Sequence, residues 1–128
     1  MPGRRRILFV DDEPSIRLTL PAVFEEHGFE VSIAGSVAEA LSKINSSRFD
    51  VLLSDLNIGE DGDGFRVVRA MRSIQPKCVT VILTGYPAFE SALQGIRNQV
   101  DDYLVKPADL ESLINTIHQK LNSKNGRG

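Results

Sequence analysis

Short apolar runs alternate with longer amphipathic segments along the whole chain. The apolar runs are residues 7–10, 29–34, 51–53, 79–83 and 103–105. Most of them are apolar at consecutive positions and contain β-branched residues, which is typical of strands buried on both faces of a parallel sheet. The pattern therefore predicts five β-strands.

Each apolar run is followed by a segment with apolar residues at helical spacing. In the first segment, residues 14–27, Pro14 suits the first turn of a helix, whereas Pro21 in the middle is expected to kink or bend it. Ser36 and Glu39 form a capping-box pattern that opens the second helix. The other three helices are predicted around residues 65–71, 89–96 and 110–121.

The strict alternation of strands and helices predicts the fold class. A (βα)5 order is typical of a doubly wound α/β domain, with a five-stranded parallel sheet and helices on both faces. No linker or internal repeat divides the chain. We therefore expect one domain over residues 7–122, with a flexible leader at 1–6 and a flexible tail or the start of a linker at 123–128.

Length and charge exclude several classes of function. The 128 residues suit a single domain, and 15 Lys and Arg against 17 Asp and Glu give a net charge of −2. This balance provides no extended basic face for direct nucleic-acid binding. The one cysteine, Cys78, excludes an internal disulfide and favours a reducing compartment, so we expect a cytoplasmic protein. No apolar run approaches the roughly 20 residues that span a bilayer, and no membrane contact is expected.

Polar residues that could bind a metal ion or an anion lie where the predicted strands end. Asp11 and Asp12 follow the first strand, Asp55 the third, Thr84 the fourth and Lys106 the fifth. Ligands of open α/β sheets bind outside the carboxyl ends of the strands, so these residues are expected at one edge. Three neighbouring carboxylates repel one another unless a cation lies between them. Mg²⁺ suits such oxygen ligands, and the Lys106 ammonium can contact an anion on Asp55.

The motifs around these residues resemble the receiver domain of bacterial response regulators. The motifs are Val-Asp-Asp-Glu-Pro at 10–14, Leu-Ser-Asp-Leu at 53–56, Leu-Thr-Gly at 83–85 and Asp-Tyr-Leu-Val-Lys-Pro at 102–107. Each motif alone is weak, but the four together, in this order, are specific. The resemblance covers about residues 7–121 and implies a flavodoxin-like, CheY-like fold.

The resemblance also implies roles for individual residues. Asp55 would be the nucleophile that accepts a phosphoryl group from a phosphohistidine on a sensor histidine kinase or a phosphotransfer protein. Asp12 would bind Mg²⁺ directly, Asp11 mostly through water, and Asn57 through its backbone carbonyl. Thr84 would donate a hydrogen bond to the phosphoryl group.

A conformational switch, rather than a turnover enzyme, is the function that the resemblance implies. The domain would catalyse only its own phosphorylation and autodephosphorylation. Lys106 would neutralise a phosphoryl oxygen, and Tyr103 would turn inward when Thr84 moves. The face formed by the helix around residues 89–96, the fifth strand and the last helix would change with phosphorylation and would support a phosphorylation-dependent homodimer.

The loop after Asp55 departs from the usual family pattern. Family members commonly have Asp-Leu-x-Met-Pro-x-Met-Asp-Gly, whereas here Gly59 replaces the proline and the Asp-Gly pair, residues 63–64, arrives one position late. We therefore expect a more flexible loop that is one residue longer. A calcium loop is excluded, because its third ligand position is Gly59 and its twelfth is Val68. The acidic residues of the loop are accordingly expected to be solvated; they are Glu60, Asp61 and Asp63.

Other interpretations of the same residues remain to be tested against the structure. Asp11 and Asp12 precede Pro14 and could simply cap the first helix. The chain could be a receiver-like interaction module that no longer cycles, or a flavodoxin-like cofactor binder, although the acidic residues 11–13 would repel a phosphate monoester. Nothing after Leu121 resembles an effector, so we expect a stand-alone receiver or a piece of a longer regulator.

Overall fold

The computed structural model of the protein describes residues 5–60, 62–85, 100–105 and 110–125. The helix predicted around residues 89–96 lies outside the described residues, and so does Lys106. Within the described part, no helix is both long and apolar enough to cross a membrane. The elements in chain order are β1 (Arg5–Val10), α1 (Pro14–Glu26), β2 (Phe29–Ala34), α2 (Val37–Ser46), β3 (Val51–Asp55), α3 (Asp63–Ile74), β4 (Val79–Thr84), β5 (Asp102–Val105) and α4 (Leu110–Asn125).

All neighbouring strands are parallel, and their order in the sheet is β2-β1-β3-β4-β5. The chain first builds outward from β1 to β2 and then continues on the other side of β1 with β3. This reversal opens a crevice between the carboxyl ends of β1 and β3. Val10 pairs with Ser54, so the residues that follow them, Asp11 and Asp55, lie side by side. The predicted five-stranded parallel sheet is confirmed.

Each central strand buries both of its faces. Along β1, Ile7 and Phe9 point to the side of α1 and α4, whereas Leu8 and Val10 point to the side of α2 and α3. A continuous apolar run is what such a strand requires, and each fully buried Leu, Ile or Phe contributes about 1.5–3 kcal/mol relative to exposure. The core on the α1 and α4 side contains Ile7, Phe9, Phe24, Phe29, Val51, Leu53, Val79, Val81, Leu83, Leu113, Ile114, Ile117 and Leu121.

The second core lies between the sheet and the helices α2 and α3. Helices therefore cover both faces of the sheet, and the prediction of a doubly wound α/β fold is confirmed. The buried residues of α3 include Phe65, Val68 and Met71, the three that helical spacing predicted. The whole cluster is Leu8, Val10, Ala34, Ala40, Ile44, Phe49, Leu52, Leu56, Ile58, Phe65, Val67, Val68, Met71, Cys78 and Ile82.

Local signals explain where two of the helices begin. Pro14 occupies the first turn of α1, and the helix continues through the buried Pro21 to Glu26. Ser36 caps α2, because its Oγ accepts a hydrogen bond from the Glu39 N–H at 3.1 Å. The Glu39 carboxylate accepts in turn from the Gly35 N–H at 2.8 Å, one residue before the cap residue itself. The predicted capping signal thus operates, with its reciprocal bond shifted by one residue.

Two elements extend beyond their predicted limits. β1 includes Arg5 and Arg6, which the sequence pattern assigned to a flexible leader, and α4 continues to Asn125, past the predicted limit at 122. The strand extends because Arg6 donates its N–H to Asp50 Oδ2 and accepts the Asp50 N–H at its carbonyl, both at 2.8 Å. Backbone pairing at a strand end needs no apolar side chain, so hydrophobicity alone did not mark these residues.

Candidate functional site

Asp11 and Asp12 follow β1 at the carboxyl edge of the sheet. Asp11 is 1% exposed; its N–H donates to the carbonyl of Ala34 at 3.1 Å, and its Oδ1 accepts from the Glu13 N–H at 2.8 Å. Asp12 is exposed, and its Oδ2 accepts from the Gly59 N–H at 3.0 Å. Asp11 thus supports the turn into α1, while Asp12 joins this turn to the loop after β3.

Asp55 and Thr84 are the last residues of β3 and β4. Asp55 is half-buried and pairs with Leu83, and the next N–H of the chain, that of Leu56, donates to the Leu83 carbonyl at 3.1 Å. Thr84 directly follows Leu83 and is 1% exposed. The two strand ends are therefore held in register, with Asp55 open to solvent on one side and Thr84 beside it on the neighbouring strand.

The three aspartates form one cluster. Asp11, Asp12 and Asp55 each offer a carboxylate oxygen, and these oxygens lie within 4.8 Å of one another. Hard divalent cations bind such oxygen sets, and Mg²⁺ in particular takes a few carboxylates and keeps several waters. The residues present therefore fit a divalent cation, and without one their negative charges repel.

The loop between β3 and α3 is closed by its own side chains. Asn57 is half-buried, and its Oδ1 accepts from the Gly62 N–H at 3.0 Å. Gly59 and Gly62 have φ values of 87° and 81°, in the region that favours glycine. The Asn57 side chain thus stabilises the turn into α3, which leaves only its backbone carbonyl for the metal role that the family resemblance implies.

One acidic residue of this loop is not solvated. Asp63 is 7% exposed; its Oδ2 accepts from the Glu60 N–H at 3.2 Å, and its Oδ1 lies 3.4 Å from Arg66 Nη1. The expectation of solvation was wrong for Asp63, because this residue begins α3 and its carboxylate satisfies a backbone donor of the preceding loop. Glu60 is exposed as expected, and Asp61 lies outside the described residues.

Gly64 packs closely against the backbone at the end of β3. Its N–H donates to the carbonyl of Leu56 at 2.7 Å. A Cβ at this position would overlap the carbonyl oxygen of Asp55 and would lie 2.9 Å from Leu56 Cα. Sequence reasoning noted the delayed Asp-Gly pair but missed this close approach, for which the glycine itself was the signal.

The remaining residues of the expected site divide into one that is described and one that is not. Tyr103 on β5 is half-buried and packs against the core on the α2 and α3 side. Its hydroxyl is buried and has no hydrogen-bond partner among the described residues. Lys106 lies outside the described residues, so its distance from Asp55 is not part of the geometry above.

A family model describes the same segment of the chain. The model of the response regulator receiver domain matches residues 7–118. The chain belongs to this family. The resemblance noted from the sequence is confirmed, and this receiver domain is a signalling module of the phosphoacceptor type. No finding supports the alternative of a module that no longer cycles.

Solved structures share both the fold and part of the sequence. A CheY-like receiver domain protein from Methanospirillum hungatei JF-1 superposes with a TM-score of 0.92 at 27% identity, covering 98% of this chain and 100% of that one. A response regulator protein from Burkholderia pseudomallei, solved with a phosphorylated aspartic acid, a calcium ion and citrate, has a TM-score of 0.83 at 27% identity. That match covers 96% of this chain and 72% of the other.

Curated relatives are longer than this receiver chain. The photosynthetic apparatus regulatory protein RegA of Rhodobacter capsulatus is 34% identical over 116 residues, which are 91% of this chain but 62% of RegA. The transcriptional regulatory protein ZraR and the regulatory protein AtoC, both of Escherichia coli (strain K12), are 31% and 35% identical, and each match covers 26% of that protein. The chain therefore corresponds to one part of these proteins.

Proposed function

We propose that Asp55 is the phosphoacceptor of this receiver domain. The observation that carries the proposal is the cluster of Asp11, Asp12 and Asp55 at the carboxyl edge of the sheet. Within it, Asp55 combines partial exposure with a position fixed by β3, beside the buried Thr84 of β4. A carboxylate that is open to a phosphodonor and rigidly held is suited to nucleophilic attack.

The reaction is a phosphoryl transfer from nitrogen to oxygen. One carboxylate oxygen of Asp55 attacks the phosphorus of a phosphohistidine on a sensor histidine kinase or a phosphotransfer protein. A P–O bond forms, the P–N bond breaks, and the leaving imidazole keeps the electron pair and takes up a proton. Water later attacks the aspartyl phosphate, which restores the carboxylate and releases inorganic phosphate. These are the only reactions that we assign to the domain, which we therefore do not regard as a turnover enzyme.

Mg²⁺ is the cofactor that we propose for the acidic cluster. Asp12 and Asp55 would hold it directly, Asp11 mostly through water, and Asn57 through its backbone carbonyl. Three carboxylate oxygens within 4.8 Å support this assignment. When bound, Mg²⁺ supplies positive charge that neutralises the transferring phosphoryl group.

Phosphorylation would change the face next to Asp55. We assign Thr84 the hydrogen bond to the phosphoryl group, Lys106 the neutralisation of a second oxygen, and Tyr103 the coupling to the adjacent surface. The family resemblance supports these three roles, and the buried hydroxyl of Tyr103 agrees with an aromatic residue turned inward. The face that includes β5, α4 and the helix predicted at 89–96 is our candidate for a phosphorylation-dependent homodimer.

The setting of the domain is also proposed. Its partners would be a kinase and, in a longer regulator, an effector, with no direct binding of nucleic acid or membrane by this domain. A single buried cysteine and the absence of a membrane-crossing helix in the described part are compatible with a cytoplasmic location. The limits of the domain stay a prediction; in the described part, β1 begins at Arg5 and α4 ends at Asn125.

Treatment with acetyl phosphate and Mg²⁺ tests the central proposal. The wild-type protein should gain one phosphoryl group, seen by intact mass spectrometry, as an adduct that is stable in acid and lost in base. Asp55→Asn should gain none, and chelation of Mg²⁺ should prevent the reaction. Asp63→Asn is the matched control, because it changes another acid at this edge that lies outside the cluster. An unmodified wild type, or an adduct that survives in Asp55→Asn, would contradict the assignment.

A further inference from the structure

A groove of about 640 Å³ lies at the amino edge of the sheet, that is, the edge where the strands begin, opposite the edge that carries Asp55. It is formed where β1, β3 and β4 begin and where α2, α3 and α4 end. Its size lies within the range of ligand sites, about 300–1,000 Å³. The phosphoacceptor chemistry makes no use of this edge.

Three cationic side chains line the groove, namely Arg5, Arg48 and Lys77. Among the described residues, none of these side chains has an ion-pair or hydrogen-bond partner. Among the described residues of the lining, these three cations face one carboxylate, Asp50, whereas the chain as a whole has a net charge of −2. The Asp50 carboxylate already accepts the Arg6 N–H at 2.8 Å. The groove is therefore a local concentration of positive charge on an acidic protein.

Among the described residues, the side chains of Arg48 and Lys77 make no hydrogen bond to the last carbonyls of α2. Positive residues after a helix commonly bond its last carbonyls and complement its dipole. Here the side chain of Gln75 performs that task for α2, because its Nε2 donates to the carbonyls of Ile44 at 3.0 Å and Ser47 at 2.7 Å. The positive charges of Arg48 and Lys77 remain available to an external anion.

An apolar side chain stands beside the charges. Ile74, at the end of α3, is 46% exposed and is the one large hydrophobic residue that is exposed in the described part of the chain. Among the described residues that line the groove, Phe49 is the one aromatic residue, and it is 4% exposed. Single-stranded nucleic acid is commonly bound by stacking of its bases on accessible aromatic side chains, and the described lining offers none. Acidic side chains with an aliphatic neighbour match it better.

We propose that this groove, lined by Arg5, Arg48, Lys77 and Ile74, is a docking site for an acidic, amphipathic segment of a partner protein. Aspartate or glutamate side chains of that segment pair with the cations, and an apolar residue packs on Ile74. Opposite charges at such a surface guide association and decide which partners are accepted. The site is independent of Asp55 and of the acidic cluster.

Selection from a phage-displayed library of short random peptides tests the proposal. Selection on the full chain should enrich peptides that combine Asp or Glu with an apolar residue. The reversal of both charges in Arg48→Glu/Lys77→Glu should weaken the binding of an enriched peptide by about tenfold or more, and Ile74→Ser by about fivefold. Affinity should also fall as the salt concentration rises.

A second double variant separates the groove from a general effect of charge. Arg69→Glu/Lys120→Glu changes the net charge equally, at residues outside the groove lining, and should leave peptide binding unchanged. Phosphorylation by acetyl phosphate should be normal in both double variants, so failure of the docking proposal and failure of the phosphoacceptor proposal give different results. The docking proposal is overturned if no acidic peptides are enriched, if both double variants weaken binding alike, or if single-stranded DNA occupies the groove and displaces the peptide.

Discussion

Carboxylates stand at both edges of the sheet, but in different surroundings. At the amino edge, Asp50 and Asp101 accept backbone N–H groups of the neighbouring strands, from Arg6 at 2.8 Å and from Thr80 at 2.7 Å. At the carboxyl edge, three carboxylates, including that of Asp55, converge within 4.8 Å. The same side chain thus stabilises the sheet at one edge and joins a cluster of acids at the other, depending on whether its neighbours are donors or further carboxylates.

The positive charges are also divided between the edges. Arg and Lys side chains without a partner among the described residues gather around the groove at the amino edge, whereas the described part of the carboxyl edge is acidic. Acidic and basic side chains therefore gather at opposite edges of the described structure, and the two proposed binding sites share no residue. The comparison teaches that one sheet can present surfaces of opposite charge at its two edges.

The largest effect is expected where the carboxyl edge is packed most closely. Gly64→Ala should lower the free energy of unfolding by about 2–3 kcal/mol, because the new Cβ would overlap the Asp55 carbonyl oxygen and force the backbone apart. Urea denaturation measures the change. Gly85→Ala is the matched control, since a Cβ there meets no atom within 4 Å. Equal stability of the two variants would show that the close approach is not a constraint.

Substitution of a carboxylate at the amino edge tests whether it stabilises the sheet. Asp101→Ala should cost about 1–2 kcal/mol, because it removes the acceptor for the N–H of the fully buried Thr80 and for its hydroxyl at 3.2 Å. The same substitution at the other edge, Asp12→Ala, should change stability by less than about 0.5 kcal/mol without a metal, because relief of the repulsion offsets the loss of the exposed hydrogen bond from the Gly59 N–H. Urea denaturation in a chelator compares the two variants, and similar losses would remove the distinction between the edges.

Addition of Mg²⁺ should make thermal stability depend on the carboxylates of the carboxyl edge rather than on those of the amino edge. A cation that binds only the folded state should raise the Tm of the wild type by about 2–4 °C at a concentration well above its Kd. The shift should shrink in Asp12→Ala and persist in Asp50→Ala, whose carboxylate lies at the amino edge. Thermal unfolding with and without Mg²⁺ provides the measurement. The cluster would not be the metal site if all three proteins shifted equally.

The smallest effect is expected at Tyr103. Its hydroxyl is buried without a hydrogen-bond partner among the described residues, so Tyr103→Phe should leave the unfolding free energy unchanged or raise it by up to about 1 kcal/mol. Urea denaturation of the unphosphorylated protein is the appropriate assay. A clear loss of stability would mean that the hydroxyl has a partner in the folded protein.

Much of the carboxyl edge could be predicted because strand ends are visible in the sequence. The apolar runs end at Asp11, Asp55 and Thr84, and a parallel sheet brings such ends to one edge whatever the strand order. Asp63 could not be predicted in the same way. Its burial depends on where α3 begins and on a backbone donor three residues earlier, which hydrophobic patterns do not report.

The structure of the amino edge was much harder to predict from the sequence. Arg5 and Arg6 have no apolar signal, yet they pair with β2 and with Asp50, so β1 begins earlier than the pattern indicated. The groove draws its lining from several segments that are distant in sequence. In the sequence, the charged residues of these segments look like ordinary surface residues. They form a groove only because the strands and helices that carry them end or begin at the same place.

The sequence by itself determined the apolar core of each strand and the approximate place of the described helices, because burial on both faces of a strand requires a continuous apolar run. Only the tertiary structure decided which residues from distant segments lie next to one another. The order β2-β1-β3-β4-β5 places Asp11 beside Asp55, and the same packing gathers Arg5, Arg48 and Lys77 at the opposite edge. The physical reason is that local patterns record the environment of each residue, whereas adjacency between distant segments depends on how the whole sheet is assembled.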